Sequence, residues 1–188
     1  MDQASAEGIA NSIYKSAKSA IIINGVGGQR WVRNVAKGAR IGPWLQAEFQ
    51  IVDRLIWMAK GACLYFVSSD EDLIKYVGIS RNRLKDRWRI SPAYEAVSKA
   101  RLPSNQLFHS QCWKNIERES ALNENAKYEV RAISAAELVP VLDRIGAPVS
   151  AFSVLKEDGE SVVASVERWI CNHRSPRLAA WNVAMTAN

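Results

Sequence analysis

Two tyrosines and one arginine near the middle of the chain are the residues whose types and spacing are best suited to chemistry. Tyr65 ends the segment Cys63-Leu64-Tyr65, Tyr76 opens the segment Tyr76-Val77-Gly78, and Arg87 lies in the run Leu84-Lys85-Asp86-Arg87-Trp88. The first two segments predict the paired strands of a β-hairpin, and the third predicts the start of a helix. Two phenols beside a guanidinium, with its fixed fork of hydrogen-bond donors, are suited to gripping a scissile phosphate.

The composition permits one folded domain with a basic surface. The chain has 188 residues, with 25 Lys and Arg against 19 Asp and Glu, which gives a net charge of +6. Such an excess modestly favours polyanionic partners. A basic but otherwise ordinary soluble protein has the same composition, so this alternative stays open.

The cysteines and the apolar runs predict the compartment. Cys63, Cys112 and Cys171 lie far apart without zinc-like spacing, which favours reduced core thiols. The first residues lack the pattern of a signal peptide, and no apolar stretch approaches the length of a membrane span. We therefore expect a cytoplasmic protein that has no membrane partner.

Residues 1–42 are predicted to form a largely helical N-terminal arm, in which Ile21-Ile22-Ile23 is either a short buried strand or the end of a helix. One short segment of this arm carries four cations and a tryptophan, namely Arg30, Trp31, Arg33, Lys37 and Arg40. Such a segment can follow a phosphate backbone or stack on a base. A solvated basic face is an equal alternative. The arm is a candidate segment for nucleic-acid contact or for oligomerisation.

Residues 43–188 are predicted to form one α+β domain around a small, mostly antiparallel, three-stranded sheet flanked by helices. Apolar spacing predicts an amphipathic helix over 44–60 and another over 104–119 that carries His109. Alternation over 128–133 predicts the third strand. The last strong helix is predicted over 160–172.

The order of these elements resembles that of the GIY-YIG nuclease family. The two tyrosine segments stand where the family has its two signature triplets, and the run 82–88 resembles its arginine motif. The helix with Glu167 and the trailing Trp181-Asn182 pair resemble its metal-binding glutamate and closing asparagine. The resemblance covers residues 62 to about 184.

The chain also departs from the family pattern. Cys63 and Leu64 replace the glycine and isoleucine of the first triplet, and Ser91 stands where many members carry a histidine. Helical insertions at about 91–126 and 135–159 are absent from the simplest members. They resemble the phage and restriction branches more than the excision-repair branch.

The resemblance implies a divalent-metal-dependent DNA endonuclease that hydrolyses phosphodiester bonds, with Mg²⁺ or Mn²⁺ bound by Glu167. It implies that Arg87 holds the phosphate and that Asn182 braces the site. Tyr65 or Tyr76 would take the proton from the attacking water. A free phenol has a pKa of about 10, so nearby cations are expected to help it.

The remaining site residues complete the expectation. The cations expected to assist the tyrosines are Lys75, Arg83 and Arg87. DNA contacts are expected from Lys75, Arg81 and Arg83 as well as from the arm. His109 either replaces the missing histidine as an acid or base or is a core residue.

Several functions remain open at this level. A restriction-type enzyme that cuts both strands of double-stranded DNA is the first expectation, and it implies a homodimer or higher homo-oligomer with two active sites. The alternatives are a phage or mobile-element nuclease of looser specificity, a non-catalytic basic DNA-binding module, and an adaptor that binds other proteins through its tryptophans.

Overall fold

The computed structural model describes residues 3–33, 40–69, 73–88, 93–95, 107–108, 112–147 and 159–182. Within these ranges the helices are α1 (Gln3–Ser16), α2 (Arg54–Met58), α3 (Leu84–Trp88), α4 (Trp113–Leu122), α5 (Ala135–Arg144) and α6 (Gly159–Asn172). The strands are β1 (Lys18–Arg33), β2 (Arg40–Ile51), β3 (Cys63–Ser69), β4 (Ile74–Ser80), β5 (Ala93–Glu95), β6 (Leu107–Phe108) and β7 (Tyr128–Ser134).

All described strands belong to one antiparallel sheet. Five long strands follow the order β4-β3-β7-β1-β2, and the short strands β6 and β5 add to β2 and β1 respectively. The predicted α+β class is therefore confirmed, as is the hairpin that carries the two tyrosines. The expectation of a three-stranded sheet is wrong, because two further long strands come from the predicted N-terminal arm and from the predicted helix over 44–60.

The first of these strands is β1, in the segment expected to be a helical arm. The helical prediction is correct for α1, but residues 18–23 pair with β7 and residues 21–33 pair with β2. The predicted boundary after Gly42 falls inside β2. The sheet therefore includes part of the segment that was expected to lie outside it.

The second is β2, where a helix was expected over 44–60. Its apolar residues alternate with polar ones, Leu45, Ala47, Phe49 and Ile51 against Gln46, Glu48 and Gln50. This is the period of a strand, which the helical spacing of the neighbouring residues obscured. The helix begins only after Asp53, whose carboxylate accepts hydrogen bonds from the backbone N–H groups of Leu55 and Ile56.

The expected insertions are only partly helical. The helix predicted over 104–119 starts at Trp113, because Leu107 and Phe108 pair with β2 instead. His109 lies outside the described residues. Helix α5 follows β7 directly and begins with a capping box, in which Ser134 and Glu137 satisfy each other's backbone N–H groups.

The sheet has an apolar core on each face. Successive residues of β3 point to opposite sides, so Leu64 and Phe66 lie in one core and Tyr65 and Val67 in the other. Helices α1, α5 and α6 cover the first face, and α2, α3 and α4 contribute to the second. Within the described residues, no helix has both the length and the apolar character needed to cross a membrane.

Candidate active site at the edge strand β4

Strand β4 is the last strand of the sheet, with β3 as its neighbour on one side. The other side of an edge strand presents a row of backbone groups that need partners. Residues 175–182, which we call the covering segment, supply several of them. The backbone N–H of Ala179 donates to the carbonyl of Ile74 at 2.8 Å, and that of Trp181 donates to the carbonyl of Lys75 at 2.9 Å.

Asn182 provides the hydrogen-bond partners of Val77, the next residue of β4 whose backbone N–H and C=O groups face away from β3. Its Oδ1 accepts from the Val77 backbone N–H at 2.9 Å, and its Nδ2 donates to the Val77 carbonyl at 2.7 Å. Both bonds are buried. The carboxamide thus provides the donor and acceptor that a neighbouring strand would have offered to Val77.

Glu167 on helix α6 binds the next outward-facing residue of β4. The backbone of Ile79, two residues beyond Val77, forms a hydrogen bond with the Glu167 carboxylate. Because residues two apart on a strand face the same edge, Asn182 and Glu167 bind successive outward-facing positions. The Glu167 residue is only 8% exposed.

Burial controls the protonation of this carboxyl. Burial raises the pKa of Glu167 from its usual 4.5 to about 7, while Arg87, the hydrogen bond from Ile79 and Arg168 act in the opposite direction. Near neutral pH, Glu167 therefore lies close to the midpoint between its protonated and ionised forms.

The two predicted tyrosines lie side by side over Gly78. Tyr65 on β3 is the cross-strand partner of Gly78 on β4, and the Tyr65 and Tyr76 ring centroids are 6.1 Å apart. A Cβ on Gly78 would lie 2.5 Å from both Cζ and the hydroxyl oxygen of Tyr65, and 2.8 Å from Cε1 of Tyr76. Trp88 packs edge-on against Tyr65 at 5.7 Å. The glycine is therefore a spatial requirement of the tyrosine pair.

The charge environment of Tyr76 differs from the one we expected. Burial is the main cause that raises the pKa of Tyr76 to about 12, with smaller contributions from Cys112 and Glu167, whereas Arg87 and Tyr65 lower it. Of the three cations expected to help, two pair with other carboxylates. Lys75 Nζ lies 3.4 Å from Glu119 Oε1, and Arg83 Nε lies 2.7 Å from Asp86 Oδ2. The expected cationic assistance therefore comes from Arg87, and burial outweighs it.

The structure brings together five of the six predicted catalytic residues, namely Tyr65, Tyr76, Arg87, Glu167 and Asn182. The sixth, His109, and the cation Lys37 lie outside the described residues. Arg81 is an exposed neighbour of the site whose Nε lies 2.6 Å from Glu160 of α6. Arg30, Trp31, Arg33 and Arg40 lie on the paired ends of β1 and β2, beyond the part of β1 that pairs with β7.

Sequence reasoning missed Glu119, whose carboxylate contacts Lys75, Trp181 and Tyr128. One feature of the sequence did point to Glu119. Cys112, Ile116 and Glu119 follow the spacing of one helical face, so Glu119 continues an apolar stripe on which a charge is unexpected. The partners of Glu119 belong to distant parts of the chain, and spacing carries no information on them.

Comparisons with protein-family models, with curated proteins and with solved structures each gave no match.

Among the described residues, no group of three or more His, Cys, Asp or Glu side chains is arranged to hold a metal ion. A single carboxylate such as Glu167 fits a hard cation like Mg²⁺, which takes most of its ligands from water and phosphate oxygens.

The space around Gly78 gives a first prediction. We expect Gly78→Ala to destabilise the fold by about 1–3 kcal/mol or more, because the new methyl group forces the two tyrosine rings apart. Thermal unfolding and the near-ultraviolet circular dichroism of the tyrosines measure this. Gly8→Ala is the matched control. A Cβ at Gly8 in helix α1 meets no atom within 4 Å, so this change should be neutral or slightly stabilising. Equal stability of the two variants would contradict the tight packing.

The buried carboxyl gives a second prediction, for protein without metal. The folded-state pKa of Glu167 lies above its usual value, so the folded chain holds this proton more tightly than the unfolded chain does. The free energy of unfolding therefore loses this contribution as pH rises from about 4.5 to about 7. Glu167→Gln lacks the titrating group, so we expect it to gain stability relative to wild type across this window.

Chemical denaturation in EDTA at pH 5, 6, 7 and 8 tests this difference. Glu124→Gln, at an exposed position in the turn after α4, is the control. Parallel pH profiles for wild type and Glu167→Gln would show that burial does not control the Glu167 carboxyl.

Proposed function

We propose that the chain is a divalent-metal-dependent DNA endonuclease of the GIY-YIG type that hydrolyses phosphodiester bonds. The observation that carries this proposal is the convergence of two phenols, the Arg87 guanidinium and the Glu167 carboxylate at the covered edge of β4. These groups come from four separate elements, β3, β4, α3 and α6. Together they match what phosphodiester hydrolysis requires, which is phosphate neutralisation, an activated water and a hard-cation ligand.

Arg87 would hold the scissile phosphate. Its guanidinium is near enough to lower the pKa of both Tyr76 and Glu167. Asp86, the acidic residue next to Arg87 in the sequence, accepts a hydrogen bond through Oδ2 from Nε of Arg83 at 2.7 Å. The fork of Arg87 can offer two donors to phosphate oxygens and supply the positive charge that the transition state needs.

Tyr76 is the better placed of the two tyrosines to meet substrate. Tyr65 is fully buried, whereas Tyr76 keeps 8% of its surface exposed. Tyr65 would then orient Tyr76 through the packing of their rings, whose centroids are 6.1 Å apart. With its raised pKa, Tyr76 keeps its proton at neutral pH. It can take a proton from water only as the phenolate, after further positive charge beside it has lowered this pKa and its own proton has been lost to solvent.

Glu167 would hold Mg²⁺ or Mn²⁺, which when bound supplies that positive charge and helps activate the attacking water. The contacts of Glu167 already favour its ionised form in part, through Arg87 and the Ile79 backbone. The Asn182 carboxamide fixes Val77, the residue between Tyr76 and Gly78, and so would hold the phenol in place during the reaction.

The paired ends of β1 and β2 would supply DNA contacts, and we call this part the basic ribbon (Gly27–Arg33 with Arg40–Gln46). Arg33 and Arg40 are direct cross-strand partners within it. Two arginines at paired positions of the sequence supply positive charge that a polyanion can neutralise.

More specifically, the chain would be a restriction-type enzyme that acts on double-stranded DNA in the cytoplasm. Cutting both strands requires two active sites, so this form includes a homodimer or higher homo-oligomer. A phage or mobile-element nuclease of looser specificity uses the same site. A non-catalytic DNA-binding module is the second candidate, and the raised pKa of Tyr76 is the observation that favours it.

Cleavage of supercoiled and linear DNA with Mg²⁺ tests the proposal. We expect discrete fragments from wild type, and a loss of about 100-fold or more in Glu167→Ala, as when a group that stabilises the transition state is removed. EDTA should have the same effect. Glu160→Ala removes a more exposed carboxylate from the same helix and should keep cleavage. Salt-sensitive binding without cleavage by wild type would favour the binding module.

Salt dependence tests the basic ribbon separately. The double change Arg33→Gln with Arg40→Gln should weaken DNA binding and reduce the slope of log K against log salt by about 2, since each phosphate contact contributes about 0.9. Arg144→Gln, an exposed arginine at the end of α5, is the control that removes one positive charge outside the ribbon. An unchanged slope in the double variant would contradict a DNA contact by the ribbon.

A further inference from the structure

Glu119 on α4 binds three other parts of the fold through one carboxylate. Its Oε1 accepts from the indole N–H of Trp181 at 3.1 Å and lies 3.4 Å from the ammonium of Lys75. Its Oε2 accepts from the hydroxyl of Tyr128 at 3.4 Å. These partners belong to the covering segment, β4 and β7, so one side chain of α4 joins three elements that are far apart in sequence.

Trp181 is the partner that leads to the candidate active site. Its ring lies 5.7 Å from that of Tyr128 and its centroid 5.9 Å from Lys75 Nζ. Its backbone N–H donates to the Lys75 carbonyl at 2.9 Å. Because the next residue is Asn182, the placement of Trp181 sets where the Asn182 carboxamide meets Val77.

We propose that Glu119 is a positioning residue for the candidate active site. It holds Trp181, and through Trp181 it presents Asn182 to the backbone of Val77, next to both Tyr76 and Gly78. The importance of this placement for catalysis rests on the nuclease proposed above, whereas the placement itself does not. The site therefore depends on a helix that lies within the segment 91–126.

The charge of Glu119 is part of this role. Hydrogen bonds to a carboxylate are stronger than bonds between neutral groups. The Lys75 side chain is only 19% exposed, so removing its counter-charge leaves a half-buried ammonium poorly compensated. A glutamine at this position keeps an acceptor for Trp181 but loses the charge that holds Lys75.

The direct test is hydrogen exchange at the Val77 amide, measured by NMR. This N–H donates to Asn182, so its protection reports whether the carboxamide is in place. We expect Glu119→Ala to lower Val77 protection by about tenfold, the equivalent of about one hydrogen bond, while the amides of the interior strand β3 change little. Glu119→Gln should fall between wild type and Glu119→Ala. Glu124→Ala, an exposed turn residue after the same helix, should match wild type.

A second variant separates positioning from general destabilisation. Asn182→Ala removes the partner of Val77, so adding Glu119→Ala to it should lower Val77 protection no further. Unchanged Val77 protection in Glu119→Ala would overturn the proposal. So would a loss that is equal at Val77 and across β3, because that would mean uniform destabilisation.

Cleavage assays give the functional arm of the same test. If wild type cleaves DNA, Glu119→Ala should lower kcat more than it raises KM, and this effect should vanish in the Asn182→Ala background. A kcat equal to that of wild type would overturn the catalytic part. If wild type does not cleave, the nuclease proposal fails, and the exchange data alone decide whether Glu119 positions Asn182.

Discussion

The open edge of strand β4 is the constraint on which the rest of the structure depends. Backbone N–H and C=O groups that leave water need partners, and a sheet that ends in a buried strand has no further strand to provide them. Here Asn182 and Glu167 bind Val77 and Ile79, and the covering segment binds the residues before them. Groups that complete the sheet therefore also form part of the candidate active site.

The same burial sets the protonation of the site. It raises the pKa of Glu167 to about 7 and that of Tyr76 to about 12, so both groups tend to keep their protons. Arg87 opposes burial at each of them. One arginine on a short helix thus influences the charge of the two groups on which the proposed chemistry depends. Positive charge added beside them would shift both in the same direction.

Local patterns predicted the parts of this site that depend on neighbours in sequence. The tyrosine hairpin, the strand over 128–133 and helix α6 follow from residue type and period. Strand β2 was missed because a helical spacing overlaps its alternation, and only pairing with β1 distinguishes the two. The bonds from Asn182 to Val77 and from Glu119 to Trp181 join residues 105 and 62 positions apart. No local pattern encodes such contacts, since they depend on how the whole sheet is assembled.

The separation between Val77 and Asn182 also bears on how the chain folds. Contacts across such distances form slowly, because bringing the two segments together costs chain entropy before the contact stabilises the fold. Until the covering segment docks, β4 is an unprotected strand edge, which is a template for pairing with another copy of the chain. Docking of the covering segment therefore protects the edge of β4 against pairing with other chains and against aggregation. Changes that loosen Trp181 or Asn182 should reduce the yield of soluble protein before they alter the finished fold.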